Sequence, residues 1–105
     1  MNWSELIKQQ VPEIDERTCF HTARLAQVLE TYELFDLGVT IHCSPVFVTF
    51  TLSPHNFIHV YCTFRHPDLP YHFSYNHHTI YNQTLNGILE LINANWSNLF
   101  NVKGP

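Results

Sequence analysis

The sequence predicts one α+β domain over residues 1–105, a two-layer sandwich in which helices pack on one face of a four-stranded antiparallel meander sheet. Three observations predict this fold class. Alternating, strand-like segments fill the middle of the chain, amphipathic helical patterns flank them, and 105 residues suit one hydrophobic core. The predicted order is α-α-β-β-β-β-α, because helices at both ends of a meander most simply share one of its faces.

Two helices are expected before the sheet. Ser4 is the predicted N-cap of the first helix, and Pro12 is expected to end it. The second helix is predicted to begin near Asp15 and to run to about Phe35, because apolar residues recur there at helical spacing. The segment 36–38, which ends in glycine, is expected to turn the chain out of this helix.

The four strands are predicted from the period-two alternation of β-branched and aromatic residues. In chain order they are GVTIHC, VFVTFTL, FIHVYCTFR and YHFSY. A last turn is expected over residues 76–79, and the final helix is expected to follow. The apolar face of that helix is Leu85, Ile88, Leu89, Ile92, Trp96 and Leu99.

Alternation sorts the strand residues into two sets that point to opposite faces of the sheet. One set is almost wholly apolar and is expected to face the helices. The second set is polar but nearly uncharged: Thr40, His42, Phe47, Thr49, Thr51, His59, Tyr61, Thr63, Arg65, His72 and Ser74. This second face has two interpretations, a solvated surface that needs no ligand or a contact surface. The contact interpretation rests on the absence of lysine, acidic residues and internal proline from the predicted strands. Such residues usually protect the edges of a sheet.

Composition restricts the class of partner. Charged residues are 13% of the chain, and the net charge is −4 with five Lys and Arg in total. Nucleic-acid binding is not expected, because it requires a basic surface to hold phosphates. No segment reads as a signal peptide or membrane anchor, and three cysteines without a CxxC pair suit a reducing compartment. We therefore expect a cytoplasmic protein without a membrane partner.

Metal binding and catalysis are the two alternatives that the sequence leaves open. Eight histidines and three cysteines are many possible zinc ligands. His42, His59 and His72 share one predicted sheet face, while Cys62, His66, His72 and the pair His77-His78 lie close together in sequence. The paired CxxC spacing that often marks a zinc site is nevertheless missing. A small enzyme with a histidine-based site is the further alternative, although Cys19 and His21 are two positions apart on a helix and point in different directions. No cofactor is predicted.

The function predicted from these observations is non-enzymatic binding of a partner protein, as an adaptor, accessory factor or inhibitor, with homo-oligomerisation as a further form of association. Aromatic-rich, charge-depleted surfaces are typical of the centres of protein interfaces. The candidate contact residues are His42, Phe47, His59, Tyr61 and His72, with Arg65 at the rim.

Overall fold

The computed structural model describes residues 2–32, 36–41, 46–53, 57–64 and 66–95. The helices are α1 (Trp3–Gln10), α2 (Glu16–Leu29), which a 3-10 turn follows (Glu30–Tyr32), and α3 (Leu85–Ala94). The strands are β1 (Asp36–Ile41), β2 (Val46–Ser53), β3 (Ile58–Cys62), β4 (Tyr71–Tyr75) and β5 (His78–Gln83). The strands pair antiparallel in their chain order. The predicted fold class is confirmed, and the meander has one strand more than predicted.

One hydrophobic core joins the helices to the sheet. The helices contribute Ile7, Leu25 and Ile88, which are fully buried. The described members of the predicted apolar set lie in or against this core: Val46, Val48, Phe50, Leu52, Ile58, Val60, Cys62, Phe64, Tyr71, Phe73 and Tyr75. Alternation therefore assigned the core face of the sheet correctly, because burial on one side of a strand imposes a period of two.

The helices begin at side-chain caps. Asn2 caps α1, since its Oδ1 accepts a hydrogen bond from the Glu5 N–H at 3.1 Å. The prediction that Ser4 is the cap is wrong, because Ser4 already lies inside the helix. Asp15 caps α2 as its Oδ2 accepts from the Thr18 N–H at 3.1 Å. Each cap satisfies a backbone donor that has no partner within the helix.

The segment 36–38 is not a turn but the start of β1. Gly38 lies opposite Thr49 of β2, and a Cβ atom on Gly38 would come within 3.3 Å of the Thr49 carbonyl oxygen. The glycine thus permits a close approach of two strands. The predicted absence of acidic residues from the strands is also wrong, since β1 begins at Asp36.

The predicted turn over residues 76–79 is shorter in the structure, and β5 follows it. Asn76 and His77 have φ of 51° and 72°, which is the backbone of a two-residue type I′ hairpin turn. The strand then pairs Tyr75 with His78 and Phe73 with Ile80. The register shifts further along, and Asn82 adopts a φ of 59°. Helix α3 starts directly afterwards, while Trp96 and Leu99 of its predicted face lie outside the described residues.

Candidate functional site

The sheet face opposite the helices is called the open face below. Its described side chains are Phe47, Thr49, Thr51, His59, Tyr61, Thr63, His72, Ser74, Thr79 and Tyr81, as the register and the ring contacts show. None of these side chains is a carboxylate, a lysine or an arginine. The described part of this face therefore offers hydroxyls, imidazoles and aromatic rings rather than formal charge.

Four rings form a continuous row across the open face, called the ring row below. Phe47 of β2 stacks on Tyr61 of β3 with ring centroids 5.3 Å apart. Tyr61 contacts His72 of β4 at 5.1 Å, and His72 meets Tyr81 of β5 edge-on at 5.4 Å. These spacings follow the separation of about 4.8 Å between neighbouring strands. The row thus links four consecutive strands through side chains as well as backbone.

His72 is the fixed centre of the ring row. Its side chain is fully buried, and its Nδ1 accepts a hydrogen bond from the Asn82 N–H at 3.1 Å. The neutral ring then carries its proton on Nε2, which donates to the Thr63 Oγ1 at 2.6 Å. The positive φ of Asn82 accompanies the register shift on β5, and asparagine tolerates this conformation. The imidazole thus bonds to β5 where regular strand pairing is interrupted.

The structure corrects the exposure expected for two candidate contact residues. His72 and Phe47 were predicted to present their side chains to a partner, but these side chains are 0% and 5% exposed. Burial of the His72 imidazole is tolerated because both of its ring nitrogens are hydrogen-bonded within the protein, while one face of Phe47 stacks on Tyr61. Their geometry suits support of the ring row rather than direct contact with a partner.

His59 and Tyr61 lie on the open face as predicted, and each is half-buried. The Nδ1 of His59 is 3.1 Å from the Thr51 Oγ1 on the neighbouring strand. Burial lowers the pKa of His59 below its usual range, which favours the neutral imidazole at pH 7. The remaining two candidates, His42 and Arg65, lie outside the described residues.

Sequence reasoning missed Tyr81, whose side chain is 43% exposed at the end of the ring row. It was missed together with its strand, since β5 was predicted to be part turn and part link to the last helix. The adjacent pair Ile80-Tyr81, both of high β-propensity, was the available signal. An asparagine in the preceding turn was a second one, because asparagine favours type I′ hairpins.

Several of the candidate zinc ligands that the structure describes are engaged in other contacts. The Nδ1 of His66 accepts from the Asp68 N–H at 3.2 Å, and His77 stacks on Phe57. Cys62 is fully buried, and burial raises the pKa of its thiol to about 12. Among the described residues, no three potential ligands lie close enough together to hold a metal ion. The sequence also holds one HxxxH spacing, His55-x3-His59, whose first member lies outside the described residues.

A surface groove of about 440 Å³ lies on the helix layer, between the start of α1 and the outer side of α2. Trp3, Phe20 and Arg24 line it, together with small and amide side chains. The lining contains no histidine, cysteine or carboxylate. The groove therefore holds one hydroxyl, that of Ser4, but no general base beside it. Nucleophilic catalysis requires such a base to activate the hydroxyl.

Comparison with known proteins gives no further guide to this face. No protein-family model matches the sequence, and neither a curated protein nor a solved structure shows significant similarity to it. Among the described residues, moreover, none of the helices has the length and apolar character needed to cross a bilayer. A function must therefore be inferred from the residues of the open face themselves.

Proposed function

We propose that this chain is a non-enzymatic protein that binds a partner protein through the open face of its sheet, as an adaptor, accessory factor or inhibitor. The observation that carries the proposal is the ring row Phe47–Tyr61–His72–Tyr81. It lies on the side of the sheet that the helices leave uncovered.

The composition of the open face favours a protein as the partner. The centres of protein interfaces are enriched in aromatic residues and depleted in charged ones, and the described side chains of this face have that composition. A nucleic acid is disfavoured because the whole chain has five Lys and Arg and a net charge of −4. Threonine hydroxyls beside the rings supply hydrogen-bonding groups for a polar rim.

The rings are held in place before any partner arrives, which lowers the entropic cost of binding. His72 is fixed by hydrogen bonds to Thr63 and Asn82, and it contacts Tyr61 and Tyr81 on its two sides. A side chain that is already immobile loses little rotamer freedom on association. We therefore assign direct contact to Tyr61, Tyr81 and His59, and support to the buried His72 and Phe47. His42 and Arg65 remain proposed contacts.

Affinity capture tests this proposal. The tagged wild-type chain, a double variant His59→Thr with Tyr81→Thr, and a control variant Gln27→Ala on the helix layer are incubated with extract of the native host. Threonine keeps β-propensity on a strand, so all three proteins should retain the same circular dichroism spectrum. We expect a protein that binds the wild type and the control in defined stoichiometry and does not bind the double variant.

Equal capture by the double variant would contradict the proposal. Recovery that depends on Gln27 instead would place the binding surface on the helix layer, where that residue lines the groove. The purified partner then permits a pH titration. Because burial lowers the pKa of His59, an interface that covers it should favour the neutral ring and weaken as the pH falls from about 7 to about 5.5.

A further inference from the structure

Strand β5 forms one edge of the sheet. Among the described strands its only neighbour is β4. An edge strand is a template for pairing with another chain, and proteins usually protect it with charge, proline, a bulge or a covering element. The sequence of β5, HTIYNQ, contains no charged residue other than histidine and no proline, and its bulge near Asn82 interrupts only the end of the strand. The opposite edge differs, because β1 begins with Asp36.

β5 exposes an apolar side chain on each face of the sheet. Ile80 is opposite Phe73 and therefore points to the helix side, where its side chain is 42% exposed. Tyr81 points to the open face and is 43% exposed. The other large hydrophobic residues that are exposed in the described part of the chain are aromatic, so Ile80 is the one aliphatic side chain among them. A contact made along this edge would cover apolar surface on both sides.

The hairpin turn fixes the direction of the backbone groups on β5. In a two-residue type I′ turn the flanking residues, here Tyr75 and His78, exchange hydrogen bonds with each other. Pairing then alternates, so His78 and Ile80 direct their N–H and C=O groups toward β4. Thr79 directs its N–H and C=O groups toward the outer edge, and Tyr81, two residues further on, has the same direction. The Tyr81 carbonyl accepts a hydrogen bond from the Gln83 side chain at 3.1 Å, so a strand that pairs along this edge must replace that bond.

We propose that β5 pairs antiparallel with β5 of a second copy of this chain, about a two-fold axis at Ile80. In this register the two Ile80 residues face each other in a non-hydrogen-bonded pair, where cross-strand side chains come closest. Thr79 of each copy lies opposite Tyr81 of the other. Centring the axis on Thr79 or on Tyr81 instead would place Ile80 opposite a polar residue, His78 or Asn82.

The distribution of charge favours a second copy as the occupant of this edge. The net charge of −4 would make two identical chains repel if it were spread evenly. Most acidic residues, however, precede residue 37, and the segment 66–95 that contains β5 has only Asp68 and Glu90 as formally charged residues. The bulge near Asn82 confines regular pairing to residues 78–81, which makes the proposed contact short and centred on Ile80.

Sedimentation velocity tests the dimer. The full chain is measured from about 1 µM to about 1 mM, a range that covers weak dimers. We expect a concentration-dependent dimer whose dissociation constant rises by about tenfold or more in Ile80→Lys, because each interface loses two buried side chains. Ile80→Thr, which retains β-propensity, should weaken it to a smaller extent. Phe20→Lys, at an exposed apolar residue of α2, should leave the dimer unchanged.

Disulfide cross-linking tests the register in a Cys43→Ser background. Ile80→Cys should form a covalent dimer on mild oxidation, because the Cα atoms of a non-hydrogen-bonded pair are about 4.5 Å apart, within the disulfide range. Thr79→Cys should not, since the two Thr79 residues are two positions out of register and beyond about 7 Å. The remaining cysteines, Cys19 and Cys62, are buried in the core.

Three results would overturn the proposal: a monomer at every concentration, a dimer insensitive to Ile80→Lys, or cross-linking of Thr79→Cys as efficient as that of Ile80→Cys. A dimer that is lost in the His59→Thr, Tyr81→Thr variant but kept in Ile80→Lys would place self-association on the open face instead. The two proposals share Tyr81, but Ile80 points to the helix side and not to the open face. Ile80→Lys therefore tests the β5 contact without altering the binding surface of the proposed function, and the two proposals fail separately.

Discussion

Replacement of His72 by phenylalanine is the sharpest test of how the ring row is held together. Phenylalanine keeps an aromatic ring of similar size but cannot bond to Thr63 or Asn82. Both groups are left facing an apolar ring, and each unsatisfied buried group costs about 1–3 kcal/mol. We expect His72→Phe to lower the free energy of unfolding by about 3 kcal/mol, a large share of the 5–15 kcal/mol of a typical domain.

Urea unfolding followed by circular dichroism measures this loss. With a slope of about 1.5 kcal/mol per molar urea, the midpoint should fall by about 2 M. Two matched variants separate the bonds. In His72→Asn the amide oxygen can replace Nδ1 as the acceptor for Asn82, and in His72→Gln the amide can reach Thr63. Each should recover about half of the loss. A His72→Phe protein within about 0.5 kcal/mol of wild type would refute the structural role assigned to these bonds.

Two further predictions concern pH and backbone strain. Burial lowers the pKa of both His21 and His59, with Arg24 and Arg17 adding to the effect at His21. The unfolded chain therefore takes up protons at higher pH than the folded chain. The free energy of unfolding should consequently fall as the pH drops through about 6.5. Thermal unfolding midpoints that stay flat or rise from pH 7.5 to 5.5 would contradict this prediction. Phe57 has a φ of 53°, a conformation that costs about 1–2 kcal/mol for most residues. The free energy of unfolding of Phe57→Asn, measured in urea, should stay within about 1 kcal/mol of wild type, because relief of backbone strain offsets the lost ring contact. A larger loss would show that the Phe57 ring stabilises the fold by more than the strained backbone destabilises it.

The sequence predicted the elements whose burial imposes a clear period and missed those that lack one. Strands β2 and β3 bury alternate residues against the helices, so their orientation was predicted correctly. The limits of β2 were predicted to within one residue, whereas β3 ends at Cys62 and not at Arg65 as predicted. β5 is mostly exposed on both faces and has no such period. The start of β1 was misread because Gly38 was taken as a turn residue, whereas it permits close approach to β2. Local composition does not distinguish these two uses of glycine.

For the candidate site, alternation predicted the face but not the depth of each residue. His59 and His72 have the same signal in sequence, an imidazole on the polar side of a strand. Only His72 is fully buried, because the register shift on β5 brings the Asn82 N–H onto its ring. That shift depends on the pairing of two strands, of which one was not predicted. The burial of His72 is therefore a property of tertiary structure.

The agreement between strand order and chain order has a kinetic consequence. Every strand pairs with the strand next to it in sequence, so the sheet can assemble as a series of hairpins that each close a short loop at small entropic cost. The contacts of longest range are those that dock the N-terminal helices, such as the edge-on contact between Trp3 and Phe50 at 6.4 Å. We therefore expect the docking of α1 and α2 onto a partly formed sheet to be the slowest step of folding, and a change in the fluorescence of Trp3, measured in a Trp96→Phe background, would report it.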